Sequence, residues 1–414
     1  MPLLDHRRLY RLPWSFSDNV IAWLEPTSQC NIACEGCYRE NRSDSHKSLD
    51  AIAAELAVFA KFRKFDSVSI AGGDPLLHPE IVDIVRMVTG RGCKAVINTN
   101  GLALTDALLQ DLKKAGLFGF TFHIDSKQGR PGWKKRDELE LNELRLSFAE
   151  RVARVGGLSC AFNATVYEDT LHYVPDLVAF AQEHIDLIHV MVFILYRAAT
   201  LNGAFDYYAG GKKADEIESL AYAEASPRRI DISAQEVVAK IQTRFPDFAP
   251  CAYLGGTEKP DSFKWLLSGR IGSKGKIYGC VGPKFMELAQ QSHHLAAGCY
   301  LAYVRPRTLR MARSLMALAP FDQGIAKALG RYLSEIAREP ARVLEPLYFQ
   351  SIIIIQPIDV LEDGRQNMCD GCPDITVDKG ELVWSCRLEE RQQYGQFLRC
   401  VPKVAVTGVR GSRG

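Results

Sequence analysis

No stretch of this sequence is long and apolar enough to cross a bilayer as a helix, so a chain built of membrane-spanning helices is excluded. The first residues, Met-Pro-Leu-Leu-Asp-His-Arg-Arg, carry no apolar signal core. Charge of one sign is lacking too. With 51 Lys and Arg against 49 Asp and Glu the net charge is +2, and no global field points to nucleic acid. There is no internal repeat, and the only biased segment is the Gly/Arg-rich tail after Thr407. A hydrophobic content of 47% and a charged content of 24% are ordinary for a globular protein. What the chain has in quantity is cysteine, 12 in 414 residues. Without a secretion signal a disulfide framework is not expected. Metal clusters and reduced thiols in a cytoplasm are the expectation, in a chain long enough for a catalytic domain and one more.

Three of the cysteines stand close together in Glu25-Pro-Thr-Ser-Gln-Cys30-Asn-Ile-Ala-Cys34-Glu-Gly-Cys37-Tyr38, a CxxxCxxC pattern. Cysteine thiolates hold iron–sulfur clusters, and three of them leave one iron of a four-iron cluster open. The alternatives are a zinc site or buried free thiols. Zinc wants four ligands, and no fourth Cys or His lies nearby.

The surrounding pattern alternates strands with helices. Apolar, β-branched runs predict strands at Asn19 to Leu24, Ser67 to Ala71, Lys94 to Asn98, Gly119 to Asp125, Cys160 to Val166 and His189 to Leu195. Helical spacing predicts helices at Leu49 to Phe62 behind an Ser48 N-cap, Pro79 to Val88, Asp106 to Ala115, about Glu138 to Val155, and Val174 to His184. Six such units demand a parallel sheet with helices outside, whose ligands bind at the C-terminal strand ends. The motifs fall there. Gly72-Gly73-Asp74-Pro75 closes the second strand, where the structural alternative is a tight turn. Asn98-Thr99-Asn100-Gly101 closes the third, with Asn98 and Asn100 on one face. His123 and Asp125 share a face at the end of the fourth, and Asn163 and Thr165 on the fifth.

Together these motifs, over roughly the first half of the chain, resemble the radical S-adenosylmethionine (SAM) superfamily. The resemblance implies a partial (β/α)6 barrel at residues 19–200, after an N-terminal extension at 1–18. It implies a 4Fe-4S cluster on Cys30, Cys34 and Cys37 whose open iron chelates SAM, and reductive cleavage of SAM to a 5′-deoxyadenosyl radical that abstracts hydrogen. Gly72, Gly73 and Asp74 correspond to the family's GGE motif that holds the SAM amino group, with Asp for Glu. Asn98 and Asn100 are expected beside SAM; Asn163 and Thr165 either reach the SAM ribose or carboxylate or are hydrogen-bonded core polars. His123 and Asp125 are the candidate catalytic pair, although a single histidine is more often a satisfied polar group. The family often has an aromatic residue just before the third cysteine, at the adenine. Here that position is Gly36, so the adenine contact is assigned to Tyr38 or to strand six around Met191 and Phe193.

The second half carries further cysteines. Residues 201–250 read as a linker, a loop from Leu201 to Lys213 and a helix from Ser233 to Phe245. Arg270-Ile-Gly-Ser-Lys-Gly275-Lys-Ile-Tyr-Gly-Cys280 has a hairpin signal and a Gly-x4-Cys spacing, which resembles the opening strand of SPASM and Twitch extensions. Cys369-Asp-Gly-Cys372 followed by Cys386 is a metal signature, with rubredoxin-like or zinc binding as the alternative to a cluster. The full seven-cysteine SPASM pattern is absent. A smaller α+β iron–sulfur extension at 251–400 is expected, with one auxiliary 4Fe-4S cluster on Cys369, Cys372, Cys386 and Cys280. Cys251 and Cys400 are reserves, and Cys93, Cys160 and Cys299 read as buried thiols. A helical insertion at 282–347 places Arg307, Arg310 and Arg313 on one sector of a helix, either a solvated face or a membrane-surface element. Residues 401–414 read as a flexible tail.

The resulting expectation is a radical SAM enzyme in the cytoplasm or peripheral to a membrane. Its auxiliary cluster takes an electron from the substrate radical or binds substrate. Its electron donor is of flavodoxin or ferredoxin type. The substrate is a small molecule, a lipid-like or amphipathic one being favoured, with a ribosomal peptide as an alternative. Nothing reads as a peptide-binding winged helix or a cobalamin domain. A methyl- or alkyl-transferring enzyme and a non-catalytic electron carrier are the remaining alternatives, and a pure carrier has no reason to bind SAM.

Overall fold

The computed structural model of the protein describes residues 4–197, 205–214 and 229–403. Six parallel strands are laid side by side in chain order: β1 (Ile21–Thr27), β2 (Ser67–Gly72), β3 (Lys94–Thr99), β4 (Gly119–His123), β5 (Ser159–Val166) and β6 (Val190–Leu195). Their registers run Ile21↔Ser67, Ser67↔Lys94, Val96↔Gly119, Gly119↔Ser159 and Ala161↔Val190. Between them lie α1 (Leu49–Phe62), α2 (Ile81–Thr89), α3 (Asp106–Lys114), α4 (Leu141–Val155) and α5 (Val174–Glu183). The Ser48 side chain caps α1 by accepting from the Ala51 amide, as the sequence predicts. Strand β4 and helix α4 are shorter than expected, because Ile124 to Glu140 form the loop that carries Asp125, Gln128 and Arg130. The main core lies between sheet and helices, around Leu24, Ile70, Ile97, Phe122 and Phe162.

The sheet does not stop at β6. Strand β10 (Tyr348–Ile355) pairs with β6 in parallel, Ser351 opposite Val190. Strand β8 (Trp265–Ser273) then runs antiparallel to β10, flanked by β7 (Ala252–Leu254) and by β9 (Lys276–Cys280), which returns through the two-residue Lys274-Gly275 turn. Tyr10–Arg11 adds the outer edge beside β7. Among the described residues the path is open, for its two ends, β1 and Tyr10–Arg11, do not pair, and the fold is a mixed α/β sheet of 11 strands without a closed barrel. Strands β7 to β10 thus extend the core sheet. Helix α6 (Ala234–Gln242) starts at a capping box of Ser233 and Glu236. The expected loop at Leu201 to Lys213 differs: residues 201–204 lie outside the described residues, and Phe205–Ala209 is a strand paired with Arg399–Pro402.

The insertion holds α7 (Pro283–Ala297) and α8 (Gln323–Arg338) around a second core with Tyr278, Ile325 and Tyr332. The expected basic helix through Arg307, Arg310 and Arg313 is not one helix. A four-residue turn, Pro306–Leu309, gives way to a 3-10 segment, Ala312–Leu318, and Arg313 donates to the Val343 and Glu345 carbonyls. No helix is long and apolar enough to cross a membrane among the described residues. Near the C-terminus, β11 (Ile375–Asp378) and β12 (Glu381–Trp384) form a hairpin leading to α9 (Leu388–Tyr394).

Candidate active site

A cavity of about 460 Å³ opens at the C-terminal ends of β1 to β6. Cys30, Cys34 and Cys37 line one part of it, all three half-buried. Their loop is pinned from both sides. The Cys30 amide donates to Asn41 Oδ1 at 2.9 Å, the Glu35 amide to the Lys127 carbonyl at 2.9 Å, and the Tyr167 hydroxyl to the Glu35 carbonyl at 2.6 Å. Gly36 has φ +65°, and a Cβ there would stand 2.2 Å from the Tyr196 ring. The aromatic side chain absent from position 36 is thus replaced in space by Tyr196, which lines the cavity stacked on Tyr167 at 4.8 Å between ring centroids. Tyr38 also lines the cavity. Met191 does not: it is wholly buried in the core on the helix side of β6, with Phe193. The strand is apolar on both faces, so no alternation in the sequence reveals which residues face inward.

The paired glycines serve the fold more than the cavity. A Cβ on Gly72 would meet the Thr27 carbonyl at 2.3 Å, and one on Gly73 the Gln29 carbonyl at 2.3 Å, so both admit the backbone leaving β1. Gly73 lines the cavity; Gly72 and Asp74 do not. Asp74 is fully buried, and its carboxylate accepts from the Leu76 and Asn100 amides and from Thr99 Oγ1 at 2.8 to 3.0 Å. Its Oδ1 caps the Pro75–Leu77 turn through the Leu76 amide, while Thr99 and the Asn100 amide engage the carboxylate from β3, contacts that the expected role of binding a ligand's amino group did not foresee. Asn98 and Asn100 both face the cavity, and Asn100 Nδ2 lies 3.7 Å from Cys30 Sγ. Asn163 and Thr165 line it as well. Asn98 Nδ2 and Asn163 Oδ1 are buried without a hydrogen-bond partner, unlike nearly all buried polar atoms.

His123 lines the cavity, and its Nε2 lies 2.9 Å from Asp125 Oδ2 and 3.0 Å from Thr165 Oγ1. Asp125 stands behind it, buried. Burial alone would raise its carboxyl, but the His123 contact and the Lys127 and Thr165 amides hold it below the ordinary range. Burial raises the Cys30, Cys34 and Cys37 thiols, so metal binding there must displace protons. Two nearby residues gave no motif signal. Gln128, almost wholly buried, lines the cavity and donates to the His123 carbonyl at 2.9 Å. Arg130, equally buried, keeps Nε and Nη1 unpartnered.

Cys369, Cys372 and Cys386 line the same cavity. The CxxC turn is held from below by the core. Arg63 Nη2 donates to the Cys372 carbonyl at 2.8 Å and Asn19 Nδ2 to the Gly371 carbonyl at 3.1 Å. The Cys372 thiol is raised by its contact with Cys369 and by burial, and burial pushes the Cys386 thiol up to about 12. Asp374, which also lines the cavity, is pushed up to about 7 by burial.

Cys280 is not brought to this group. It ends β9, its sulfur lies 3.7 Å from Ser268 Oγ, and it lines a separate cavity with Arg244, Arg270 and Arg331. The register of β9 on β8 carries it there, Cys280 opposite Arg270. The reserves are elsewhere too: Cys251 Sγ contacts the Leu267 carbonyl at 3.3 Å, and Cys400 Sγ accepts from Gln366 Nε2 at 3.4 Å. Cys160 is buried as expected, whereas Cys93 and Cys299 are half-buried.

Among the described residues no three His, Cys, Asp or Glu side chains converge on one metal-ion position, so neither triad has the closed geometry of a structural zinc site. A four-iron cluster takes one thiolate per iron and does not need that convergence. The orphaned Asn98 and Asn163 atoms beside the first triad fit a polar ligand seated against it.

Residues 24–181 match the family described as the Radical SAM superfamily, which implies a 4Fe-4S cluster and SAM. Curated relatives include a tungsten-containing aldehyde ferredoxin oxidoreductase cofactor-modifying protein from Pyrococcus furiosus, 35% identical over 25% of this chain and 30% of that protein. An AdoMet-dependent heme synthase from Nitratidesulfovibrio vulgaris is 23% identical over 49% of this chain and 55% of that protein. The chain thus spans between 30% and 55% of the length of these relatives. Among solved structures, Streptococcus suis SuiB superposes with a TM-score of 0.40 at 17% identity, over 56% of this chain and 46% of that one.

Proposed function

We propose, from the match of residues 24–181 to the radical SAM family, that this chain is an enzyme with two iron–sulfur clusters facing one substrate cavity. Cys30, Cys34 and Cys37 would hold the cluster that binds SAM, and Cys369, Cys372 and Cys386 the second. The observation that carries the reading is that both triads, from opposite ends of the chain, line one cavity. When bound, the first cluster supplies the electron that cleaves SAM to a 5′-deoxyadenosyl radical, and an external donor of flavodoxin or ferredoxin type would replace it.

The chain's own part is to bind, orient and exclude water. Asn98 Nδ2 and Asn163 Oδ1 offer a donor and an acceptor to the polar end of SAM. The Gly73 backbone and the Asn100 side chain border the same seat, while Tyr38 and Tyr196 supply aromatic faces. Trp23, Ile194, Trp265, Ile355 and Ile358 give the wall a large apolar share beside the charged Arg39, Arg197 and Asp374, which suits a substrate with an amphipathic part. His123 is the one titratable side chain of the wall set between Asp125 and Thr165, so it can hold or deliver a proton at Nε2. Asp125 is its positioning residue.

The test is anaerobic reconstitution of the full chain with iron and sulfide, followed by SAM and a strong reductant. The wild type should release 5′-deoxyadenosine, and the Cys30→Ala, Cys34→Ala, Cys37→Ala triple variant should not. Equal release by both would overturn the assignment.

A further inference from the structure

The second triad is one thiolate short, and the structure shows what stands in the gap. All 12 cysteines are described, and the three candidates for a fourth ligand, Cys251, Cys280 and Cys400, do not line the shared cavity. Asp374 does. It follows Cys372 by two residues, and its carbonyl accepts from the Ser385 amide at 3.0 Å, at the open end of the β11–β12 hairpin. That bond brings the Asp374 backbone against the Ser385–Cys386 segment, so the residue is next in space to Cys386 and two places in sequence from Cys372.

Among the described residues the Asp374 carboxylate accepts no hydrogen bond, and the residue is half-buried, facing the cavity. The nearest cation, Arg63, has its donors engaged by the carbonyls of Phe16, Ile21, Cys372 and Pro373 at 2.6 to 3.1 Å. Asp374 is half-buried on the cavity wall and makes no ion pair among the described residues, so its carboxylate is available to a cation seated there. Its neighbours here are thiols, which are ligands of the same cation.

We propose that Asp374 is the fourth protein ligand of the second cluster, its carboxylate taking the iron that Cys369, Cys372 and Cys386 leave without a thiolate. This rests on the reading that those cysteines hold a cluster. The competing outcome is an iron open to the cavity. A carboxylate-ligated iron differs from a thiolate-ligated one in its EPR spectrum and in how readily it is lost.

The experiment uses the full chain with Cys30, Cys34 and Cys37 replaced by Ala, so that only the second cluster forms. This parent should bind about four irons and keep them on mild oxidation. Adding Asp374→Asn should cause loss of about one iron in four on the same oxidation, with the EPR signal of a three-iron cluster. Adding Asp374→Cys should keep all the iron and change the EPR spectrum. A parent with its full iron whose spectrum and oxidation behaviour are unmoved by both substitutions overturns the ligand assignment alone. A parent without iron overturns the two-cluster reading. If the Asn variant does not fold, the Cys variant decides the point by its spectrum.

Discussion

Arg39 Nη2 donates to the Ser385 carbonyl at 2.6 Å. The bond joins the residue two places after Cys37 to the residue just before Cys386, and so ties one cysteine loop to the other. The same guanidinium grips both oxygens of Glu25 at 2.6 Å, while Glu389 Oε1 accepts from the Glu40 amide at 3.1 Å. Arg39 and Glu25 are both buried, so the pair is desolvated and its bidentate geometry offsets that cost.

Arg39→Ala leaves Glu25 buried without its cation, held only by the Trp23 indole N–H, and should lower stability by about 3 kcal/mol. Chemical denaturation of the apo chain measures this. A change within about 0.5 kcal/mol would show that the clamp is not formed.

Gly36→Ala puts a Cβ into the Tyr196 ring and forces an L-residue to φ +65°. The backbone term alone is about 1–2 kcal/mol. Iron bound by the core triad should fall in this variant. Adding Tyr196→Ala should restore it in part, because it relieves the ring contact but not the dihedral. Full iron content in the single variant would contradict the loop geometry.

Cys280→Ala should leave the iron content of the second site unchanged, because that thiol lies in a different cavity. Cys372→Ala should reduce it. Equal loss from both substitutions, by iron analysis in the core triple-Ala background, would restore Cys280 to the ligand set.

His189 is buried, its Nδ1 accepts from the Cys160 amide at 3.0 Å, and burial lowers its pKa to about 4. It is neutral in the fold and protonates near 6.5 once unfolded. The unfolded state therefore binds the extra proton between those values, and stability falls as pH drops from about 6.5 towards 4. The loss attributable to this group between pH 7 and pH 5 is about 2 kcal/mol. Urea denaturation at the two pH values should show a smaller difference for His189→Gln than for the wild type. The same acid slope in both would remove His189 as its cause.

The sequence by itself determined the features that live on short spacings. The six strands, the Ser48 cap and the hairpin turn around Gly275 follow from local pattern and backbone preference, and they are present with some strand ends shifted. The three cysteines of one loop reach one wall because so few residues separate them, and the inward pairs Asn98 with Asn100 and His123 at its strand end follow from the period-two pleat. The tertiary structure alone decided what depends on register and on partners far along the chain. Met191 and Ile194 are equally apolar on a strand covered on both faces, so only packing shows which one faces the cavity. Asp74 reads as a free carboxylate until Thr99 and the Asn100 amide are seen to occupy it. Cys280 matches a spacing, yet its hairpin register on β8 carries it away from Cys369 and Cys372. Asp374 gives no signal in sequence. Its place beside Cys372 and Cys386 comes from the chain closing back on itself, with Arg39 and Arg63 bonding carbonyls more than 300 residues distant. Such contacts carry no local pattern, because the residues that make them meet only when the sheet has assembled.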